Sequence, residues 1–406
     1  MVAPTGWKEV RLGELVSRPI TDGPHLTPRF YNDGVPFLSV NNIVDGKILW
    51  NELRYISKED DKVFAVKCKP RRGDILFGKA ASVGKIALVD TDLDFNVWSP
   101  LAVIRCSTLS RPQFVYFALQ TSWTTRQIAL LTNSSSQGNI GMTDIAQIKI
   151  SLPPLKEQEA IAEALSDADS AIESLDALIA KKRDVKQATM QQLLTGRTRL
   201  PDFNADWIEV RLGDLGSTFG GLTGKSSKDF GEGNSSFVTF MNVMSNVVLD
   251  NQGTEKVRIG NGERQSQLLE GDVIFNGSSE TPEEVGFGSA VRIELSGLYL
   301  NSFCFGFRRK DKKSFNPKFF AYLTRSPLGR DIIRPMAQGS TRYNIAKTNL
   351  LNGRFPLPPL KEQEAIAEAL TVMDDELAAL TEQVSKLRMV KEGMMQDLLT
   401  GKVRLV

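Results

Sequence analysis

Histidine and cysteine are scarce in this chain of 406 residues. It contains one histidine, His25, and three widely spaced cysteines, Cys68, Cys106 and Cys304. No two cysteines form a C-x-x-C pair, so structural zinc is not expected, and the spacing favours a reducing compartment. A single histidine excludes an H-E-x-x-H site and any other multi-histidine metal site. The residue types therefore indicate no metal site and no catalytic constellation.

Long apolar runs are lacking as well. No stretch approaches the roughly 20 apolar residues that a membrane-spanning helix needs, and the opening MVAPTGWKEVRLG has no apolar core like that of a signal peptide. We therefore expect a cytoplasmic protein without membrane contact. Hydrophobic residues make up 41% of the chain and charged residues 24%, which is ordinary globular composition. The formal net charge of +2 does little by itself to indicate a nucleic-acid partner.

What the chain does contain is a long internal repeat. The segment LPPLKEQEAIAEAL occurs at 152–165 and again, unchanged, at 357–370. A second pair lies at the same offset, MQQLLTGRTRL at 190–200 and MQDLLTGKVRL at 395–405. A third pair stands near the start of each half, GWKEVRLGELVS at 6–17 and DWIEVRLGDLGS at 206–217. The period far exceeds that of solenoid repeats, so we interpret the chain as a duplicated domain.

Each LPPL segment is followed by a helical pattern. Proline is tolerated in the first turn of a helix, and Glu157 and Glu362 place negative charge at its positive end. Apolar residues then recur at alternating steps of four and three over about five heptads, as in a coiled-coil seam. Gly196 and Gly401 stand where a C-terminal cap is expected. The predicted seam contains Ile161, Leu165, Ile172, Leu175, Ile179 and Leu193 in the first helix, and Ile366, Leu370, Met373, Leu377, Leu380, Val384, Leu387 and Leu398 in the second.

Connectivity decides how these helices run. The second globular segment follows the first helix and precedes the second, so helices that pack side by side must be antiparallel. We predict an α+β protein with two globular domains separated by a long antiparallel two-helix coiled coil, a pseudo-twofold, circularly permuted repeat. The alternative, in which each helix packs only on its own domain, leaves the equal helix lengths unexplained. The predicted segments, alternately globular and helical, are residues 1–152, 153–200, 201–357 and 358–406.

The two globular segments share landmarks but differ in their loops. GDILF (73–77) parallels GDVIF (271–275), and RPQFVYFAL (111–119) parallels NPKFFAYLT (316–324). GGLTGKSS (220–227) lacks the glycine spacing of a nucleotide-binding loop, so we interpret it as a flexible loop. A constant framework with different loops is typical of two recognition modules with different targets. Drift after a duplication would leave a similar pattern, although the helices have not drifted over the same interval.

These motifs resemble one family. LPPLKEQEAIAEAL followed by a long helix that ends in LLTG-x-x-RL, present twice, resembles the specificity (S) subunit of type I restriction–modification systems. TDGPHLTPRFYNDGVPFLSVNNI at 21–43 and GLTGKSSKDFGEGNSSFVTFMNV at 221–243 look like the openings of its two target recognition domains. The resemblance covers essentially the whole chain.

The resemblance implies a non-catalytic subunit of a DNA adenine methyltransferase and ATP-dependent endonuclease. Each recognition domain would bind one half of a split, asymmetric target in double-stranded DNA. The helices would set the spacer and dock two methyltransferase (M) subunits, and restriction (R) subunits would join the full complex. S-adenosylmethionine, ATP and Mg²⁺ would bind the partner subunits, so no cofactor is expected on this chain. The open alternative is a coiled-coil adaptor that joins protein partners without reading DNA sequence.

The resemblance assigns no base-contacting residues, so candidates follow from loop position and side-chain chemistry. Arginine and lysine can grip guanine, and asparagine and glutamine can grip adenine. For the loop amides the alternative is hydrogen bonding within the loop, and for the tyrosines it is packing with a polar tip. The candidates are His25, Thr27, Arg29, Tyr31, Asn42, Gln137 and Asn139 in the first domain, and Thr223, Lys225, Lys228, Asn242, Gln338, Ser340, Arg342 and Tyr343 in the second.

Overall fold

The chain divides into two compact units that share both long helices. The computed structural model describes residues 4–133, 138–292 and 297–405. Unit 1 comprises Met1–Asp176 and Glu382–Val406, and unit 2 comprises Ala177–Thr381. Each combines small β-sheets with short helices and with part of each long helix. The α+β class predicted from the sequence is confirmed.

Unit 1 alternates short strands with helices. Its strands are β1 (Lys8–Arg11), β2 (Thr21–Asp22), β3 (Val35–Leu38), β4 (Ile43–Val44), β5 (Lys47–Ile48), β6 (Arg54–Ile56), β7 (Ile75–Gly78), β8 (Ile86–Leu88), β9 (Asn96–Val97), β10 (Leu101–Ile104) and β11 (Lys149–Leu152). Its helices are α1 (Lys58–Ala65), α2 (Pro112–Ala118), α3 (Ser122–Leu131), α4 (Met142–Gln147) and the first part of α5 (Leu155–Leu193).

Unit 2 repeats this alternation. Its strands are β12 (Ile208–Arg211), β13 (Gly216–Gly220), β14 (Phe230–Val238), β15 (Thr254–Val257), β16 (Val273–Asn276), β17 (Ser278–Ser279), β18 (Gly288–Ala290), β19 (Leu298–Leu300), β20 (Cys304–Arg309), β21 (Ala337–Gln338), β22 (Tyr343–Ile345) and β23 (Arg354–Leu357). Its helices are α6 (Leu212–Leu215), α7 (Phe240–Ser245), α8 (Pro317–Arg325), α9 (Pro327–Ile333), α10 (Lys347–Asn352) and the first part of α11 (Leu360–Leu398).

The central sheets have the same topology in both units. The strand order is β2–β10–β7–β8 in unit 1 and β13–β20–β16–β18 in unit 2. The repeated EVRLG motif forms β1, which pairs antiparallel with β11, and β12, which pairs antiparallel with β23. In both units this outer strand pair ties the first strand to the one that precedes a long helix.

The GDILF strand shows why the sequence forms a buried central sheet. Successive side chains of a strand point to opposite faces. Ile75 and Phe77 join a core with α2 and the long helices, whereas Leu76 joins a second core with Leu38 and Val97. A strand buried on both faces reads as a continuous apolar run, which is the pattern of GDILF and of GDVIF in unit 2.

The two long helices run antiparallel within each unit. In unit 1, Asp169 pairs with Lys391 at 2.5 Å and Asp176 with Arg388 at 2.8 Å. In unit 2, Lys182 pairs with Glu376 at 2.6 Å, and Lys186 pairs with Asp374. Partners on α11 move backward as α5 advances, which is the antiparallel order predicted from the connectivity.

The structure places the seam residues along the inner sides of these helices. Nine of them are buried: Ile161, Leu165, Ile172, Ile179, Leu193, Ile366, Leu370, Val384 and Leu398. The other five are partly buried: Leu175, Met373, Leu377, Leu380 and Leu387. The helices are shorter than the segments 153–200 and 358–406, because each ends before a glycine with φ of +68°, Gly196 or Gly401.

The contact between a short helix and the long helices differs between the two units at one position, Tyr322 of α8. The Tyr322 hydroxyl of α8 donates to Asp374 at 2.6 Å, and Asp374 also pairs with Lys186. The matching residue of α2 is Phe117, whose ring centroid lies 5.6 Å from Nζ of Lys391. Burial and the neighbouring Asp374 carboxylate raise the pKa of Tyr322 above the ordinary 10.0. The neutral phenol is therefore the form that the fold selects.

Replacing Tyr322 with phenylalanine should destabilise unit 2. The Tyr322→Phe variant loses a hydrogen bond to a charged group, which should lower the free energy of unfolding by about 1.5–3 kcal/mol at pH 7. Because the folded-state pKa is raised, the wild type keeps this contribution below pH 10 and loses it as the pH rises further, when the unfolded chain ionises. The variant should show a smaller loss above pH 10. Thermal unfolding at both pH values measures the effect, and equal stability of the two proteins would contradict it.

Candidate nucleic-acid interface

The repeated segment buries a carboxylate at the start of each long helix. Glu157 is fully buried and accepts hydrogen bonds from Arg404 Nη2 at 2.7 Å and from Trp7 Nε1 at 3.0 Å. Arg404 also lies over the Trp7 ring, with its guanidinium carbon 5.6 Å from the centroid. The sequence predicted only a helix-dipole role for Glu157, yet its main partner is the arginine of the tail that follows α11. That arginine belongs to the repeated LLTG-x-x-RL motif, so a sequence signal for the pair existed.

Unit 2 carries the matching arrangement. Glu362 is fully buried and accepts from Arg199 Nη2 at 2.6 Å. The Arg199 guanidinium carbon lies 6.0 Å from the centroid of the Trp207 ring. In each unit, therefore, the tail that follows one long helix closes over the start of the other.

The glutamine of the same motif fixes the globular framework to the long helix. Gln158 accepts from the backbone N–H of Arg111 at 2.9 Å and donates to the Pro153 carbonyl at 2.9 Å. In unit 2, Gln363 accepts from the N–H of Asn316 at 2.9 Å. Arg111 and Asn316 are the N-caps of α2 and α8, so the repeated motif holds the same short helix in both units.

A cluster of charged residues supports the first candidate loop in unit 1. His25 is exposed, with Nδ1 3.0 Å from Ser99 Oγ and Nε2 3.3 Å from Asp22 Oδ2. Asp22 is fully buried and also binds Lys67 and Lys79. Burial acts to raise the pKa of the Asp22 carboxyl, but hydrogen bonds from the two lysines outweigh it and lower the pKa. The buried carboxylate thus holds positive side chains beside an exposed loop.

Two arginine–aromatic stacks lie beyond this loop. The guanidinium carbon of Arg29 is 5.4 Å from the centroid of Tyr31, a side chain that is 41% exposed. Arg54 lies 5.0 Å from the centroid of Phe30. Thr27, on the same loop, is exposed. Sequence reasoning missed Arg54, because nothing in the local pattern shows which aromatic ring it meets.

The remaining candidates of unit 1 have local roles or lie outside the described residues. Asn42 accepts from the N–H of Ser39 at 2.9 Å and so caps the 3-10 turn Val40–Asn42. The Asn139 side chain is exposed, while its backbone carbonyl accepts from the N–H of Asn133 at 2.9 Å. Gln137 lies outside the described residues. The Asn139 side chain is therefore on the surface, whereas the Asn42 oxygen is already occupied.

The GGLTGKSS loop of unit 2 is tied down, contrary to the flexible loop expected. The Lys225 side chain is only 7% exposed and donates to the Arg258 carbonyl and to Glu263, both at 2.6 Å. Gln265 bonds both backbone groups of Thr223. Hydrogen bonds from Lys225 and Gln265 lower the pKa of Glu263 to about 2. The charge of Lys225 is thus balanced by Glu263 within the fold, while Lys228 remains exposed.

Asn242 is a structural side chain in this fold. It is 4% exposed, and its Nδ2 donates to the carbonyls of Asp250 and Gly253 at 2.7 and 2.9 Å. Its Oδ1 accepts from the Asp250 N–H at 3.0 Å and from the Asn246 amide at 2.9 Å. The amide is fully used inside the unit, so Asn242 has no hydrogen-bonding group left for a base.

The last four candidates of unit 2 lie on one small sheet or in its turn: Gln338 ends β21, Ser340 and Arg342 lie in the turn that follows, and Tyr343 begins β22. Strands β17, β22 and β21 form this sheet, with Tyr343 of β22 opposite Ser279 of β17. Gln338, Ser340 and Arg342 are exposed, and Tyr343 is partly buried. The Arg342 guanidinium carbon lies 5.3 Å from the ring centroid of Phe303, which is 56% exposed. Sequence reasoning missed Phe303, since an exposed phenylalanine looks like a core residue in sequence.

Neither a metal cluster nor a spanning helix occurs in the described part of the chain. Within residues 4–133, 138–292 and 297–405, no group of three or more His, Cys, Asp or Glu side chains is placed to hold a metal ion. Over the same ranges, no helix combines the length and apolar character needed to cross a membrane.

Comparison with known proteins shows the family. A sequence model of the type I restriction modification DNA specificity domain matches residues 4–181 and again residues 204–387. The chain therefore belongs to the family of type I restriction–modification DNA specificity subunits and carries two copies of its domain.

Relatives and solved structures agree with this assignment. The chain is 27% identical over 399 residues to a Methanocaldococcus jannaschii protein provisionally named the type I restriction enzyme MjaX specificity subunit, covering 91% of this chain and 88% of the relative. It is 24% identical over 378 residues to the StySPI specificity subunit of Salmonella potsdam, covering 87% and 78%. The type I S subunit of M. genitalium has the same fold, with a TM-score of 0.61, 16% identity and coverage of 98% and 97%. A chain from a structure of a type I restriction–modification system has the same fold, with a TM-score of 0.57 and 20% identity. The match covers 99% of this chain and 100% of that one.

Removing the Asn242 amide should affect stability. Asn242→Ala leaves the backbone groups of Asp250 and Gly253 without their partner, so the free energy of unfolding should fall by about 1–3 kcal/mol. Met241→Ala is the matched control: Met241 is its neighbour and is 64% exposed, so its removal should change stability by less than about 0.5 kcal/mol. Denaturant unfolding measures both variants. Equal stability of the two would show that the buried amide contributes nothing.

Proposed function

We propose that this DNA specificity subunit reads a split, asymmetric target in double-stranded DNA, one half with each compact unit. The chain itself supplies recognition, and two M subunits supply methyl transfer to adenine. R subunits join them for ATP-dependent cleavage, so S-adenosylmethionine, ATP and Mg²⁺ bind the partners. The complex works in the cytoplasm, where its DNA target lies.

One observation carries the proposal: matching backbone positions of the two units hold different side chains. In unit 1, the Lys79 N–H donates to the Pro100 carbonyl at 2.8 Å, and the Lys79 carbonyl accepts from Ile140 at 2.9 Å. In unit 2, Gly277 makes the same two bonds, to Phe303 at 2.9 Å and from Ile345 at 3.0 Å. These matching backbone hydrogen bonds form a frame that is the same in both units. On it, Lys79 of unit 1 corresponds to Gly277 of unit 2, and Pro100 corresponds to the exposed Phe303.

Such exchanges suit two readers of different sequences. A protein distinguishes base pairs through side chains that bond or pack against the base edges. Contacts to the DNA phosphate backbone fix only its position on the duplex. Unit 1 exposes His25 and Arg29, and unit 2 exposes Arg342, Phe303 and Gln338. Different chemistry on one frame gives each unit its own half-site.

We assign the gap between the half-sites to the long helices. Each is an uninterrupted helix of 39 residues, and their equal lengths match the unchanged repeat. Val185 and Val390 are exposed, by 48% and 55%, at matching positions of the two copies. Exposed apolar residues at equivalent places on both helices suit two identical docking partners, which the M subunits would be.

Lengthening both helices by one turn should lengthen the gap. We choose a four-residue insertion between Asp176 and Ala177 and another between Thr381 and Glu382, where the compact units divide. Four residues add about 6 Å and about 40° of rotation beyond a full turn. A base pair adds about 3.4 Å and about 35°. The gap should therefore grow by one to two base pairs while both half-sites stay unchanged.

Sequencing of methylated sites in cells with the M subunit measures the gap directly. Matched controls are four-residue insertions into only one helix, which disturb the seam without lengthening the pair evenly. A fixed gap in an active double-insertion variant would contradict the spacer role. Methylation without sequence preference in the wild type would instead favour an adaptor that does not read DNA.

A further inference from the structure

In the described part of the chain, most arginines that lie over aromatic rings donate to an acceptor within the fold. Arg404 and Arg199 bind buried carboxylates, and Arg308, stacked on Phe219 at 4.8 Å, binds Asp272 at 2.7 Å. Arg325 and Arg330 flank Phe287 and donate to backbone carbonyls. In these five the ring, the guanidinium and its acceptor form a closed structural contact.

Arg342 is different. Its guanidinium carbon lies 5.3 Å from the Phe303 centroid, and within residues 4–133, 138–292 and 297–405 its side chain meets neither a carboxylate within 4.0 Å nor a carbonyl acceptor. A guanidinium has five N–H donors and no acceptor. The donors of Arg342 are therefore open to a ligand, while its guanidinium lies over the ring.

The backbone of Phe303 is hydrogen-bonded on both sides. The Phe303 N–H donates to Asn301 Oδ1 at 2.9 Å, and the Phe303 carbonyl accepts from the Gly277 N–H at 2.9 Å. Gly339 has a φ of +132°, and a Cβ there would lie 2.1 Å from the Arg342 carbonyl, so the Arg342 loop needs glycine at that point. Both members of the stack are thus set on an ordered backbone.

We propose that Arg342, whose guanidinium lies over the Phe303 ring, recognises a guanine in the half-site read by unit 2; this inference rests on the proposed function. Bidentate donation to O6 and N7 of guanine needs a planar fork whose edge points outward. Stacking on an aromatic face leaves that edge free and reduces the freedom that binding would otherwise remove. Phe303 is a positioning residue in this arrangement, and Arg342 makes the contact.

Unit 1 holds its own stacks, which provide an internal comparison. Arg29 on Tyr31 and Arg54 on Phe30 likewise meet no carboxylate within 4.0 Å in the described part of the chain. They occupy different places in the frame, since the residue matching Phe303 in unit 1 is Pro100. A change at Arg29 should alter one half-site, and a change at Arg342 should alter the other.

The test uses the chain assembled with its M subunits and duplexes that carry the mapped target. Arg342→Ala should weaken binding about 5- to 150-fold and make one guanine position of a single half-site degenerate. Replacing that guanine by 7-deazaguanine, which removes N7, should weaken the wild type but not Arg342→Ala. Phe303→Leu keeps apolar bulk without a π face and should weaken discrimination at the same guanine about 2- to 5-fold. Phe303→Tyr keeps the aromatic face and should discriminate at this guanine as well as the wild type does.

The outcomes separate this inference from the proposed function. The inference is overturned if Arg342→Ala weakens binding to all DNA sequences equally. It is also overturned if Phe303→Leu discriminates at every guanine as well as the wild type does. If Arg29→Ala alters one half-site while Arg342→Ala alters neither, the function stands and this inference fails. If the unsubstituted complex shows no preference in either half, the proposed function fails. Because the Phe303 side chain is exposed, its variants should unfold at nearly the wild-type temperature. Thermal unfolding checks this.

Discussion

A buried carboxylate at the start of each long helix is the constraint on which the rest of the structure depends. Glu157 and Glu362 are fully buried, and a buried charge without a partner is strongly destabilising. Each therefore requires the arginine that follows the other long helix, Arg404 or Arg199, with a tryptophan beside it. This requirement explains why both copies keep the glutamate of LPPLKEQEAIAEAL and the arginine of LLTG-x-x-RL: loss of either partner would leave a buried charge or its arginine unpaired.

The same constraint leaves the surface free to differ. Gln158 and Gln363 hold the N-caps of α2 and α8, and the outer strand pairs have matching registers. With the backbone held by these contacts, the side chains at positions 100 and 303 are free to differ. Pro100 and Phe303 illustrate the result, because both offer the same carbonyl to the frame while presenting different surfaces. Constant support and variable contact are the physical conditions for a protein that reads two unlike half-sites.

Sequence reasoning succeeded where the pattern is local and periodic. The steps of four and three place the seam, because burial along a helix follows its 3.5-residue repeat. It did not extend to contacts that only the folded chain brings together. Arg404 lies 247 positions from Glu157, Lys225 is neutralised by Glu263, and the Asn242 amide is consumed by a backbone turn. Phe303 could not be found at all, since its exposure is a property of the folded surface.

The most direct test of this account is to give the frame two copies of one reader. Segment 12–148 and segment 212–353 are closed by equivalent bonds, Leu12 N–H to the Ile148 carbonyl at 2.8 Å and Leu212 N–H to the Gly353 carbonyl at 2.9 Å. Replacing the second segment by the first leaves every repeated element in place. Mapping of methylated adenines with the M subunit should then reveal a target built from two copies of one half-site across the original gap. An active chimaera that still methylates the original asymmetric target would contradict the account.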